Sequence, residues 1–313
     1  MIKLFHTRTE YSQSRLKMIF LFIVALIQVS GFSQSTSDSL STRTRPGFFA
    51  GFEAGVSNGS FILDGRGSMS EMMASMNNSF TGTFETGYFF SGGLGLSTGF
   101  GIYSFNNTIS LENYLNNYET RDSEDDTYDR RISGSGIIEN QKISYFKIPL
   151  ILNLRIPRKS LFGLYFGAGI NLSVPLTKEY SSKGLFTFTG YYPEFNVILK
   201  DLPEYGFISD AGLSTIGEIE LRSFIVDATV SAGFQFLIAN KVQLSLGAGY
   251  SRSLKDITEY SEEEPFQLAS GTEEIRSMLG GSNSTVAESM GLRFSFRYFF
   301  KGYRIRSMPP RGQ

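Results

Sequence analysis

Between residues 47 and 300 the chain repeats one pattern eight times: bulky apolar side chains at alternate positions, with Gly, Ser, Thr or a charge between them. In a β-strand successive side chains point to opposite faces, so this period of two describes a strand with one greasy and one small or polar face. The last segment, MGLRFSFRYFF over 290–300, sets Met290, Leu292, Phe294, Phe296, Tyr298 and Phe300 against Gly291, Arg293, Ser295 and Arg297. The same alternation runs through 47–56, 82–90, 94–103, 144–156, 162–174, 224–238 and 242–250.

The connections alternate as well. Ser91-Gly92-Gly93, Pro157–Ser160 and Ala239-Asn240-Lys241 are tight, whereas about 57–81, 104–142, 176–222 and 252–288 are long. Short turns at one end and long loops at the other describe antiparallel neighbours in an up-and-down barrel. Volume decides which face is inside. An eight-stranded barrel has room only for side chains, and the small faces fit that space while the bulky ones do not. The bulky faces therefore point outward and must meet lipid. The expected fold is all-β: an eight-stranded antiparallel up-and-down transmembrane β-barrel with long extracellular loops. A lipocalin-like soluble barrel would reverse the faces, and would leave the Arg and Glu pairs outside.

Net charge is −1, so the chain as a whole makes no electrostatic case for nucleic acid. There is no Cys, and the only His is His6. Arg15 and Lys17 precede an apolar run at 18–27 that is too short to span a bilayer, which needs about 20 residues. Gly31 and Ser33 suit cleavage before Gln34, so residues 1–33 read as a signal peptide. Residues 34–46 read as a flexible lead-in, 47–300 as the barrel and 301–313 as a basic periplasmic tail. The alternative for the apolar run is an uncleaved anchor or a core helix.

The lumen-facing charges are Glu53, Glu85 and Asp227 against Lys147, Arg155, Arg293 and Arg297. Counting from the strand ends predicts a Glu53–Arg293–Glu85 network with Arg297 just below it, and Lys147 and Asp227 higher. Buried charges need partners, so these residues read as a salt-bridged plug; the competing reading is a narrow ion or proton path. Pro149 inside a strand predicts a bulge that aims Lys147 inward.

The long loops are acidic: residues 112–131 hold seven Asp/Glu and three Arg, and 253–288 hold eight acids and two bases, including Glu262–Glu264. They read as a solvated rim, with divalent ions shared with lipopolysaccharide as the alternative; no EF-hand spacing occurs. Ser68 and Glu71 have capping-box spacing, and Met69, Met72, Met73 and Met76 form a helical stripe, so a short helix is expected there. A second is expected over 272–279. The glycines of 93–101 lack dinucleotide-binding spacing, and no cofactor or metal is implied.

YFKIPLILNLR over 145–155, YFGAGI over 165–170, the aromatic last segment and the Gly-Phe-Ser-Gln at 31–34 resemble the PorT-like eight-stranded outer-membrane β-barrel family. The resemblance covers about 47–300 and implies fold and an outer-membrane location. Its members mostly have no assigned biochemical role, and the resemblance implies an association with protein secretion. Two departures stand out: KGYRIRSMPPRGQ follows Phe300, and Trp is absent, so Tyr and Phe must supply the interfacial belt. The expected function is a non-catalytic structural or interaction protein. Its partners would be outer-membrane lipid and lipopolysaccharide, and a protein at the extracellular loops or the periplasmic tail. The alternatives are a small channel, transport or secretion-associated component, and an outer-membrane lipid hydrolase or protease, which would have to work without a His base.

Overall fold

The computed structural model describes residues 47–75, 77–90, 93–157, 162–239, 241–259, 266–269 and 274–300. The expected signal peptide, lead-in and basic tail lie outside these residues, as do Met76, Glu262–Glu264 and most of the short turns.

The strands in chain order are β1 (Gly47–Gly65), β2 (Met73–Ser75), β3 (Asn77–Phe89), β4 (Leu94–Arg121), β5 (Thr127–Pro157) and β6 (Phe162–Tyr192). They continue with β7 (Val197–Leu199), β8 (Ala211–Glu218), β9 (Ile225–Ala239), β10 (Val242–Ser253) and β11 (Ser282–Phe299). Eight of them close an antiparallel ring in the order β1-β3-β4-β5-β6-β9-β10-β11 and back to β1. Closure is direct, with Phe49 opposite Phe299 and Gly55 opposite Arg293.

The faces fall as volume requires. Phe52, Phe100, Leu150, Phe234, Leu246, Leu292 and Phe294 form part of an exposed outer belt, while Ser97, Asn153, Asn171, Gln243, Ser245 and Arg297 are buried inside.

The long connections are where the structure departs from expectation. The segment at 104–142 is not an irregular loop: β4 and β5 remain paired from Leu94–Leu154 out to Arg121–Thr127. β6 follows β5 out to Tyr191, and β8 pairs with β6 over Glu179–Phe186. Beyond the ring, β4, β5, β6 and β8 thus form an open sheet, with β2 on β4 and β7 on β6. Its inner face encloses an apolar core that includes Phe61, Phe105, Ile109, Tyr114, Ile137, Phe186, Leu268, Ile275 and Met278.

Both expected helices are replaced. Gly67–Glu71 is a 3-10 turn and Met73–Ser75 pairs with β4. The Ser68 hydroxyl donates to the Leu115 carbonyl at 2.7 Å and caps nothing, and a run this short does not nucleate an α-helix without a cap. Met69 and Met72 are buried while Met73 is exposed. In the last loop Ile275 bridges to Ala269, and a 3-10 turn begins only at Met278. Pro149 makes no bulge either: β4 and β5 keep one register across it, and the ladder resumes at Gly101–Lys147. The missing proline donor is absorbed by an unpaired stretch rather than an inserted residue.

Candidate functional site

The lumen is filled in layers. At the short-turn end, Phe49, Phe89 and Phe299 form a buried cluster with ring centres 5.3, 5.6 and 6.1 Å apart. The Arg155 guanidinium lies 4.2 Å from the Phe89 ring centre and 4.8 Å from that of Phe299, and Arg297 stands 5.0 Å over Phe49. Arg155 also donates to Gln235 Oε1 at 3.2 Å and to Gln243 Oε1. Two of the rings rest where the neighbouring strand offers no side chain: a Cβ on Gly87 would lie 2.6 Å from Phe49, and one on Gly95 2.6 Å from Phe89.

Above the rings, Arg297 makes a two-pronged ion pair with Glu85, Nε to Oε1 at 2.6 Å and Nη2 to Oε2 at 2.9 Å. Arg293 meets Glu53 one layer higher at 3.5 Å and donates to Thr229 and Ser251, each at 3.2 Å. The expected Glu53–Arg293–Glu85 network is thus divided into two pairs. The ladder explains it: Arg297, Gly51 and Glu85 share one rung, whereas Arg293 sits on the rung of Gly55 and Thr81. Lys147 lies 4.8 Å from the Tyr103 ring centre, and Asp227, opposite Asn171, accepts from Ser173 Oγ at 3.2 Å. Glu53, Glu85, Tyr103, Lys147, Arg293 and Arg297 line a chamber of about 60 Å³, space for a few water molecules at roughly 10–15 Å³ each.

Sequence reasoning missed the aromatic trio. Its signal is three Phe-Phe doublets, 48–49, 89–90 and 299–300. Adjacent residues of a strand face opposite ways, so each doublet must send one ring inward.

At the long-loop end the mouth is capped. Glu139 of β5 is fully buried and accepts from Ser182 Oγ at 2.8 Å, Ser277 Oγ at 2.8 Å, the Met278 amide at 2.7 Å and Gln141. It thereby ties the last loop to the sheet. Burial pushes its carboxyl above the ordinary range, against the lowering effect of those donors. Tyr114 Oη accepts from the Leu268 amide at 3.0 Å, and Tyr180 Oη donates to the Ile275 carbonyl at 3.0 Å. At the acidic hairpin tip, Asp122 accepts from the amides of Glu124 and Asp126 and from Tyr192 Oη, and Arg121 pairs with Asp125. Among the described residues no group of three or more acids or histidines converges as a metal site.

A closed ring with a greasy exterior and a charged, filled interior is a membrane barrel. The family model for the outer membrane protein beta-barrel domain matches residues 32–259. The chain belongs to this family. It is therefore a transmembrane barrel of the Gram-negative outer membrane, and by the usual asymmetry of such barrels the long-loop end is extracellular. Among solved structures the barrel is similar to OprG from Pseudomonas aeruginosa, at 12% identity over 83% of this chain and 98% of that one, with a TM-score of 0.36. It is also similar to Neisserial surface protein A, at 11% identity over 81% and 97% with a TM-score of 0.34. Ail of Yersinia pestis, in complex with the heparin analogue sucrose octasulfate, matches at 12% identity over 80% and 99% with a TM-score of 0.28. No curated protein matches the chain.

Proposed function

We propose that this barrel is a non-catalytic structural and interaction protein, and that its specificity resides at the extracellular cap. The carrying observation is the filled lumen. Below the 60 Å³ chamber lie the Phe49–Phe89–Phe299 cluster and the Arg297–Glu85 pair, and beyond it lies the apolar core of the cap. Such a lumen supports a rigid plug rather than a conduit, since buried, paired charges fix the packing of a wall this narrow. The residues from 47 to 300 contain neither His nor Cys, the groups that most often serve as general base or thiol nucleophile.

Within the family, the YFKIPLILNLR stretch supports the PorT-like group. The belt of Phe, Leu and Tyr suits outer-membrane lipid, and the acidic rim suits lipopolysaccharide through shared divalent ions. A protein partner would bind the extracellular sheet or the periplasmic tail.

Planar-bilayer recording of the purified barrel tests the plug. The wild type is expected to show no steady conductance. Arg293→Met is expected to lower thermal stability without opening a pore, because it strands Glu53. A large conductance gain at unchanged stability contradicts the plug, and deacylation of lipid by the purified barrel contradicts the non-catalytic reading.

A further inference from the structure

The open extracellular sheet ends in a strand that has one strand neighbour among the described residues. β8 pairs with β6 from Glu179–Glu218 to Phe186–Ala211, and no described residue pairs with its other side. The Ile219 amide donates to the Lys178 carbonyl at 2.7 Å, which fixes the phase of the ladder. In an antiparallel pair, hydrogen-bonded and non-bonded positions alternate, so Leu213, Thr215 and Gly217 bond to β6. Gly212, Ser214 and Ile216 then present their N–H and C=O groups to the open edge.

Natural sheets guard such edges with Lys, Pro, a bulge or a covering segment. Ala211–Glu218 contains neither Lys nor Pro and pairs with β6 in unbroken register. Instead it displays Ile216, which is 81% exposed, and four rungs along on the same outer face, opposite Gly212, stands Leu185 of β6, which is 51% exposed. The ends of the edge are acidic, with Asp210 before it and Glu218 and Glu220 after it. Lys178, paired with Glu218 at 3.3 Å, and Lys183 belong to β6, one strand further in.

We propose that the free edge of β8 is a docking site for an extended segment of a soluble partner protein, which adds as a further antiparallel or parallel strand. The segment would carry an apolar residue beside Ile216 and basic residues at its ends. The inference rests on the reading that the extracellular cap carries specificity. A second copy in the same membrane is a poor occupant. Copies in one bilayer are related by an axis along its normal, whereas identical strands pair antiparallel about an axis perpendicular to themselves. β8 lies along β6, which is continuous with the barrel wall from Phe162 to Tyr192. A strand inclined about 35–45° to the normal would cross its copy rather than lie along it.

The test uses the full barrel in lipid nanodiscs and a synthetic peptide that alternates Thr with Val or Ile and carries Lys at both ends. Saturable binding is expected, with new exchange protection at the amides of Ser214 and Ile216 and little change at those of Leu213 and Thr215. A matched peptide with Glu ends is expected to bind about tenfold more weakly at low salt. Ser214→Pro removes an edge donor without touching the β6 ladder and is expected to weaken binding at least about tenfold. Ile216→Lys, which keeps the backbone intact, is expected to weaken it too. The docking site is overturned by absent or unsaturable binding, by equal binding to Ser214→Pro, or by edge protection that rises with barrel concentration without peptide. The last result assigns the edge to a second copy. None of these results bears on conductance, so the edge and the plug fail separately.

Discussion

Arg297 and Glu85 clasp each other across a strand that lies between them. The bidentate pair, at 2.6 and 2.9 Å, joins β11 to β3 over β1, and the β1 residue on the same rung is Gly51. A Cβ at Gly51 would lie 3.0 Å from Arg297 Cγ and 2.3 Å from the Phe296 carbonyl oxygen. The glycine is thus part of the ion pair's geometry, because the stem of Arg297 passes close to where a side chain at position 51 would stand.

Arg297→Met is therefore expected to cost about 3–5 kcal/mol, since it leaves Glu85 buried without its cation. Adding Glu85→Leu is expected to restore most of that loss. Urea unfolding of the three variants in lipid gives the comparison, and additive losses would show that the two side chains act independently.

Gly51→Ala is expected to destabilise by about 1–3 kcal/mol through overpacking against Arg297 and the β11 backbone. Placed on an Arg297→Ala background, which removes the Cγ, the same change is expected to cost less, with the contact to the Phe296 carbonyl remaining. The double-mutant cycle measures that coupling.

Phe49→Ala is expected to cost about 3–5 kcal/mol, because it hollows the aromatic cluster and removes the ring under Arg297. Phe48→Ala, the outward ring of the same doublet and 63% exposed, is expected to cost far less. Thermal melting of the two variants side by side checks this.

In the cap, Glu139 gives a pH dependence of definite sign. Burial raises its carboxyl above the ordinary 4.5. An acid raised by folding favours the folded cap at low pH, and that advantage fades as the pH climbs from the unfolded value through the raised one. Cap stability is expected to fall over this window in the wild type, and Glu139→Gln is expected to flatten the profile. Glu139→Ala is expected to cost about 1–3 kcal/mol at every pH, for donors left unpaired. Limited proteolysis of the last loop at several pH values reads all three.

The lumen and the lipid belt were legible in the sequence because period-two alternation is unbroken there. The cap was not, because its strands change phase. In β4 the buried positions switch from Ile109 and Leu111 to Tyr114, and in β5 from Ile137 to Gly134 beside Gly136, whose φ is +58°. The β5–β6 register shifts between Ser135 and Ile138, and again between Ser144 and Tyr145. Each shift exchanges the two faces, so a strand longer than one phase reads as a loop. The division of the charge network escaped for a related reason. Counting from strand ends gives height along each strand, whereas pairing follows the rungs, and Glu85 and Arg293 lie four rung positions apart along β1, at Gly51 and Gly55.

The chain contains no Trp, so a single introduced indole reports its own surroundings. Phe294→Trp on the outer face and Phe105→Trp inside the cap core, each reconstituted in vesicles containing brominated lipid, place the bulky face directly. Strong quenching is expected at position 294 and almost none at position 105. Quenching at 105 with an unquenched, shielded indole at 294 would contradict the inside-out barrel.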